Sequence, residues 1–235
     1  MKRSLFFKVD AWLILIPGLL WIFLVKNRDQ WMNTPCAKEG ACSASEINFI
    51  DQLAIHPIHD LADIASFWTQ DLAGLCAVFI PLSIHLYRKI QKLPPFEKST
   101  SKDFLFDFTI FAQSVLITGM FTEITKIVTN RPRPYLFLKP WHQANNVHDY
   151  SSFFSGHTSF AAASCVSLIY FGVRRNLNSR AQKMIFFLSL FLTISTGVLR
   201  VWAGRHYPTD VVFGGFFGFF FASLIAFLHG PPESR

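Results

Sequence analysis

Charge is scarce in this sequence. Asp, Glu, Lys and Arg make up 16% of its residues, where a soluble domain carries about a quarter, and they collect in clusters between long apolar runs. That shortage excludes an ordinary soluble domain. Strand-like alternation of apolar and polar residues is missing too, so the apolar runs are expected to be helices, which satisfy their own backbone polar groups in lipid. Tandem repeats and low-complexity linkers are absent, and the chain reads as one domain over 1–235. Basic residues are not interleaved with exposed aromatics on any soluble segment. The net charge of +7 therefore gives no sign of nucleic-acid binding.

What the sequence does have is apolar length. It is 51% hydrophobic, with 27 Phe, and six runs stand out: 5–25, 65–86, 104–125, 156–173, 184–202 and 210–228. Each holds about 18–22 residues, or about 27–33 Å of helix, which matches a hydrocarbon core of about 30 Å. The fold class expected is all-α, a polytopic membrane protein with six transmembrane helices in one bundle. The first run follows Lys2, Arg3 and Lys8 but ends in "LVKNRDQ" with no small-residue cleavage site, and it reads as an uncleaved anchor.

Basic residues set the expected orientation. Lys2, Arg3, Lys8, Arg88, Lys89, Lys92, Lys98, Lys102, Arg174, Arg175, Arg180, Lys183 and Arg235 put 13 of the 22 Lys and Arg on one side. The positive-inside rule makes that side cytoplasmic, with both termini on it. The segment "KLPPFEKSTSK" is then a Pro-broken cytoplasmic loop, and the loop 27–64 is the largest extracytoplasmic piece. In that loop "SEINFIDQLAIHP" predicts an interfacial helix capped by Ser45, with Ile47, Ile50, Leu53 and Ala54 on one face and Pro57 at its end. His56 and His59 lack a third metal ligand at helical spacing and read as surface histidines. Cys76 and Cys165 lie inside spans as packing residues, whereas Cys36 and Cys42 share the extracytoplasmic loop, where a disulfide is expected. Gly214 and Gly218, four apart in the last span, suit close helix packing.

Ionisable residues at membrane depth cost a few kcal/mol each (about 2.5–3.5 on insertion scales) and are functional suspects. They occur here at the end of the third span ("TEITKIVTNRPRP"), the start of the fourth ("SGH"), the end of the fifth ("LRVWAGRHYP") and the start of the sixth ("PTD"). The topology puts all four clusters on one face. Lys126, Arg133 and Arg200 offer fixed cations suited to phosphate oxygens. Ser155 and Gly156 stand at a helix N-terminus, where free amides and the helix dipole favour an anion. Asp210, four residues after His206, is placed to accept from one nitrogen of that ring and leave the other free to attack. His157 remains as a proton donor. These residues describe phosphoryl transfer through a phosphohistidine. Glu123 reads as an ion-pair partner of Lys126, Arg131 and Arg205 as lipid-headgroup anchors, and Lys139, Trp141, His142, His148 and Tyr150 as residues shaping substrate access.

The arrangement Lys126, six residues, Arg133-Pro134; Ser155-Gly156-His157; and Arg200, five residues, His206, three residues, Asp210 resembles the three signature motifs of the type 2 phosphatidic acid phosphatase superfamily. That group includes membrane lipid phosphatases, glucose-6-phosphatase and vanadium haloperoxidases. The resemblance covers about 60–228, with the core motifs in 126–210. It implies His206 as nucleophile, Asp210 as its orienting partner and His157 as general acid. Lys126, Arg133, Ser155, Gly156 and Arg200 would bind phosphate. No metal and no cofactor is implied. Two positions depart from the family pattern: Phe154 stands where Pro is usual, and Leu199 where Ser is usual. The Phe154 ring is expected at the interface or on an acyl chain.

The expected activity is that of a bacterial-type inner-membrane phosphatase acting on a lipid phosphate or pyrophosphate at the periplasmic face, with a bell-shaped rate against pH. Phosphatidic acid, phosphatidylglycerol phosphate, undecaprenyl pyrophosphate and lipid A phosphates all present a similar headgroup. A phosphotransferase using a lipid hydroxyl in place of water shares the first step. A non-catalytic lipid or anion transporter fits less well, since the ionisable residues lie at one face and not along a mid-membrane path.

Overall fold

The computed structural model describes residues 3–91 and 101–230, with side chains for 10–91 and 103–230. Residues 92–100 of the Pro-broken loop and the basic residues Lys2, Lys92, Lys98 and Arg235 lie outside the described residues, as do the side chains of Arg3, Lys8 and Lys102, whereas 101 and 102 begin a helix. Among the described residues seven α-helices follow one another: α1 (Arg3–Trp31), α2 (Phe49–Gln52), α3 (Asp60–Ile90), α4 (Ser101–Thr129), α5 (Gly156–Arg174), α6 (Ser179–Trp202) and α7 (Pro208–Leu228). Six of them, all but α2, contain stretches long and apolar enough to cross a membrane. No strand occurs among the described residues, so the all-α expectation holds. The helices overrun several predicted spans: α3 starts five residues before 65 and α4 ends four after 125. Hydropathy marks the lipid-matched segment, whereas the helix continues into the polar residues that serve the site.

The centre of the bundle is α5, packed against α3, α4, α6 and α7. Its run Ala161, Ala162, Ala163, Ser164 is buried, and side chains this small let four helices approach one axis. Gly214 and Gly218 complete the fit from α7. A Cβ at Gly214 would stand 2.6 Å from the Ser155 carbonyl oxygen, and one at Gly218 would strike the Ser159 carbonyl. The pair thus presses α7 onto the first turns of α5. Outward faces are lined with large apolar side chains such as Phe213, Phe216, Phe219 and Phe227, as a lipid-facing surface requires. The first helix, α1, is peripheral and packs along α4.

The ends of the bundle differ. One end joins the C-termini of α3 and α5 to the start of α4 through His85 Nε2–Asp107 (2.9 Å) and Arg175 Nε–Asp107 (2.9 Å). There too His229, after α7, reaches Asp10 of α1 at 3.1 Å. The other end collects the C-termini of α1, α4 and α6, the N-termini of α3, α5 and α7, and the loops 32–59 and 130–155. Cys36 and Cys42 are disulfide-bonded there, and Cys36 packs with Met32, Leu136, Ala144 and Tyr150.

The loop ahead of α3 departs from expectation. Ser43, not Ser45, caps a short 3-10 turn at Ala44–Glu46, and Asn48 caps a helix of only four residues, α2. The long interfacial helix is cut short because Asp51 turns inward to the bundle and the Gln52 side chain donates back to the Ile47 carbonyl at 2.7 Å. Phe49 and Leu53 remain on the outside, 80% and 75% exposed. His59 is exposed, as expected of a surface histidine, and its Nδ1 also accepts from Ala62 N at 3.3 Å and so caps α3.

Candidate active site

The polar end of the bundle brings the motif residues together. Lys126 sits in the last turn of α4, Arg133 just beyond it, Ser155 to His157 at the first turn of α5, Arg200 in the last turn of α6, and Asp210 in the first turn of α7. His206 lies in the tight α6–α7 connection. His206 is within electrostatic reach of Arg133, Arg200 and Lys126, as is His157. The four sequence clusters therefore form one constellation.

Each cation is held by a partner that leaves part of it free. Lys126 Nζ pairs with Glu123 one turn earlier at 2.7 Å, the expected ion pair. A second cation shares that carboxylate: Arg28, from α1, lies 3.5 Å from Glu123 and donates to His148 at 2.5 Å. Arg200 is buried and donates from Nη1 to Asp63 at 2.5 Å and to Ser66 at 3.2 Å. Arg133 donates to Ser151 Oγ at 3.3 Å and, among the described residues, forms no ion pair. Around His206 three buried nitrogens have no hydrogen-bond partner among the described residues, Arg133 Nε, Arg200 Nε and His157 Nε2, and Arg28 Nε beside Glu123 is a further one at this end. Buried donors without partners are rare because each forfeits its hydration. Here the three around His206 share one constellation, a cradle suited to an oxyanion.

The α5 N-terminus adds to it. Ser155 is the N-cap residue, but its side chain makes no capping bond to the backbone; Oγ accepts from Thr158 Oγ1 at 3.1 Å. The amides of the first turn have no intrahelical partners. Gly156 keeps this turn against Lys126, whose Nζ would lie 3.4 Å from a Cβ at that position. The His157 ring stands edge-on to Phe67, centroids 4.4 Å apart, which fixes it without using either nitrogen.

The surroundings of His206 differ from the sequence reading. The Nδ1–Asp210 Oδ2 separation is 3.6 Å, too long for a hydrogen bond. Nδ1 donates instead to the Ser152 carbonyl at 2.8 Å. A proton on Nδ1 leaves the lone pair of the neutral ring on Nε2. Asp210 is unavailable because, as the third residue of α7, it folds back to accept from Tyr207 N at 3.0 Å, takes the Ser152 hydroxyl at 2.5 Å and pairs with Arg131. Asp210 thus acts on His206 through Ser152. Burial, with Arg133, Arg200 and Lys126 nearby, keeps the imidazole well below its ordinary pKa, against the opposing pull of the Ser152 carbonyl. Its neutral form is favoured.

Two arginines read as headgroup anchors are structural bridges. Arg131 spans Asp51 (2.7 Å) and Asp210 and covers the Tyr207 ring at 4.1 Å. Arg205 pairs with Asp63 at 2.6 Å beside Arg200. Tyr150, read as an access residue, is fully buried and donates to the Ala144 carbonyl at 2.8 Å. Sequence reasoning missed Asp51, Asp63, Ser152 and Arg28. One signal was available: five cations meet at membrane depth around a motif that needs three, and the surplus demands carboxylates from elsewhere. Among the described residues no group of three or more His, Cys, Asp or Glu is placed to hold a metal ion.

Phe154, the departure before Ser155, is also corrected. Its ring is not at the interface but 1% exposed and stacked on Phe217 at 5.1 Å. It wedges the segment before α5 against α7. Phe154→Ala is expected to lower stability by about 3–5 kcal/mol, the range for emptying such a site, read as a fall in melting temperature of the detergent-solubilised protein.

The model of the PAP2 superfamily matches residues 107–231. A protein described as "Probable lipid phosphate phosphatase 4", from Arabidopsis thaliana, is 30% identical over 142 residues, 51% of this chain and 46% of that relative. The matched stretch thus spans about half the length of that relative. No solved structure matches.

Proposed function

Because the chain belongs to the PAP2 superfamily, we propose that it hydrolyses the phosphate monoester or pyrophosphate of a membrane lipid, through a phosphohistidine on His206. The observation that carries this is the set of unpartnered buried donors, Arg133 Nε, Arg200 Nε and His157 Nε2, beside a histidine whose Nδ1 is committed to a carbonyl. Phosphate oxygens would take the place of the missing partners, with Lys126 and the Gly156 and His157 amides completing the cradle. Neutral His206 then attacks phosphorus through Nε2, and the bond from phosphorus to the lipid oxygen breaks. His157 passes its proton to the leaving oxygen. Water next attacks the phosphohistidine, His157 takes the water's proton, and the P–N bond breaks to release phosphate and His206. Charge stabilisation is supplied by fixed side chains and amides, so the reading requires no metal.

Orientation and substrate belong to the same proposal. Arg88, Lys89, Arg174, Arg175, Arg180 and Lys183 mark the end opposite the site, and the positive-inside rule makes that end cytoplasmic. The cradle then opens outward, to the periplasm if the membrane is a bacterial inner one, where a headgroup enters while its tails stay in lipid. The relative's description as a lipid phosphate phosphatase supports a lipid substrate. Purified protein is expected to release phosphate from at least one of phosphatidic acid, phosphatidylglycerol phosphate, undecaprenyl pyrophosphate and a lipid A phosphate. EDTA should leave the rate unchanged and vanadate should inhibit. Strict dependence on added magnesium would overturn the mechanism.

A further inference from the structure

Asp51 lies in the short helix α2, outside residues 107–231 that match the family, and none of the three motifs gives it a role. It is fully buried and densely engaged. Its carboxylate accepts from Arg131 Nη2 at 2.7 Å, Thr209 Oγ1 at 2.6 Å, Thr209 N at 3.0 Å and Asn48 Nδ2 at 2.7 Å. Burial alone would raise the Asp51 pKa, but the bonds from Thr209, Arg131 and Asn48 outweigh it and hold the carboxyl below its ordinary value. Asp51 therefore stays charged.

The bonds lead from Asp51 to the nucleophile. Arg131 turns one nitrogen to Asp51 and the other to Asp210 and Thr209, so its fork is fixed between two buried carboxylates. It grips Ser152 from two directions: the Arg131 carbonyl accepts from Ser152 N at 3.1 Å, and Asp210 takes the Ser152 hydroxyl at 2.5 Å. Ser152 is the residue whose carbonyl holds His206 Nδ1. A buried ion network adds little stability over apolar packing of the same volume, whereas a fixed ring angle at a nucleophile is worth much: a displacement of about 1 Å can lower the rate about 100-fold.

We propose that Asp51 is a positioning residue for the reaction, which fixes Arg131 and through it the Asp210–Ser152 pair that aims His206. The proposal rests on the reading of His206 as nucleophile. Its test compares the full-length protein with Asp51→Asn, Arg131→Lys and the double variant, using short-chain phosphatidic acid, orthovanadate and inorganic phosphate. Vanadate adopts the five-coordinate geometry that needs His206 in line, whereas phosphate needs only the cradle.

Asp51→Asn is expected to lower kcat by about 10- to 100-fold with KM within about twofold. Vanadate affinity should fall by a similar factor while phosphate affinity stays within about twofold. The double variant should be no worse than the poorer single, as for residues acting in series. A kcat within about twofold of wild type, equal losses of vanadate and phosphate binding, or losses that multiply in the double variant would each overturn the assignment. If Asp51→Asn does not fold, Arg131→Lys decides, since an ammonium cannot span both carboxylates as the fork does; an unchanged kcat there has the same overturning force. A wild-type protein that releases no phosphate from any lipid overturns the reading of the reaction instead. Asp51 is then judged by vanadate against phosphate binding, measured as thermal shifts.

Discussion

Replacing His206 with Ala is expected to lower turnover by on the order of 10⁴-fold or more, the loss that follows removal of a covalent nucleophile from a preorganised site. The fold should survive, because among the described residues the ring makes a single hydrogen bond, to Ser152, and two of the cations around it, Lys126 and Arg200, keep their own carboxylates. Phosphate should still bind in the cradle and protect against thermal unfolding, while radiolabel from the substrate no longer appears on the protein. Near-normal phosphate release by the variant would end the assignment.

The wild-type pH profile carries a companion expectation. The acid limb of kcat/KM reports groups of the free enzyme. Burial and the cations Arg133, Arg200 and Lys126 hold the His206 imidazole well below its ordinary value. As pH falls through about 6.5, His206 therefore stays neutral and no nucleophile is lost to protonation. Once the second ionisation of the phosphate ester near pH 6 is divided out, a residual acid limb assigned to His206 should lie well below pH 6.5. A limb at 6.5 would mean that His206 titrates like a solvent-exposed histidine.

The parts of this site that were legible in the sequence are those set by local spacing and by the bilayer. Hydropathy placed the six spans, and alternation of their direction put Lys126, Ser155, Arg200 and Asp210 at one end. The surplus of basic residues between spans gave a basis for orientation. Gly214 and Gly218 showed where α7 meets α5. Long-range pairings were hidden. Asp51 meets Arg131 and Thr209 across 80 and 158 residues, and Asp63 meets Arg200 across 137; no periodicity encodes such contacts. The His206–Asp210 spacing suggested a direct bond, but an Asp at the third helical position caps the backbone of the N-cap residue more readily than it reaches a ring outside the helix. Phe154 looked like a surface aromatic because a single sequence does not show that Phe217 lies opposite it. Both errors share a cause: the loop 130–155 folds inward over the helix ends, whereas the sequence reading left it at the surface.

Those loop contacts bear on the second acid–base group, for which the expected result depends on the leaving group. His157→Ala should lower the turnover of a lipid phosphate by about 10²- to 10⁴-fold, the usual contribution of a positioned proton donor. An alkoxide leaves poorly without that proton, whereas a nitrophenolate leaves well without one. With an aryl phosphate the first step should therefore be nearly normal in the variant, and the second should not. In the proposed mechanism water attack on the phosphohistidine also uses His157, as base, so the labelled intermediate should accumulate as a burst and then decay slowly. Phosphate affinity should weaken modestly, because His157 Nε2 is one of the unpartnered donors offered to phosphate oxygens, while KM for the aryl phosphate should fall as the intermediate accumulates. Equal losses with alkyl and aryl substrates, and no burst, would show that His157 supports the cradle and does not transfer the proton. Accumulation of label in His157→Ala but not in His206→Ala would place the two histidines on opposite sides of the same phosphorus, one bonded to it and one serving the oxygen that leaves.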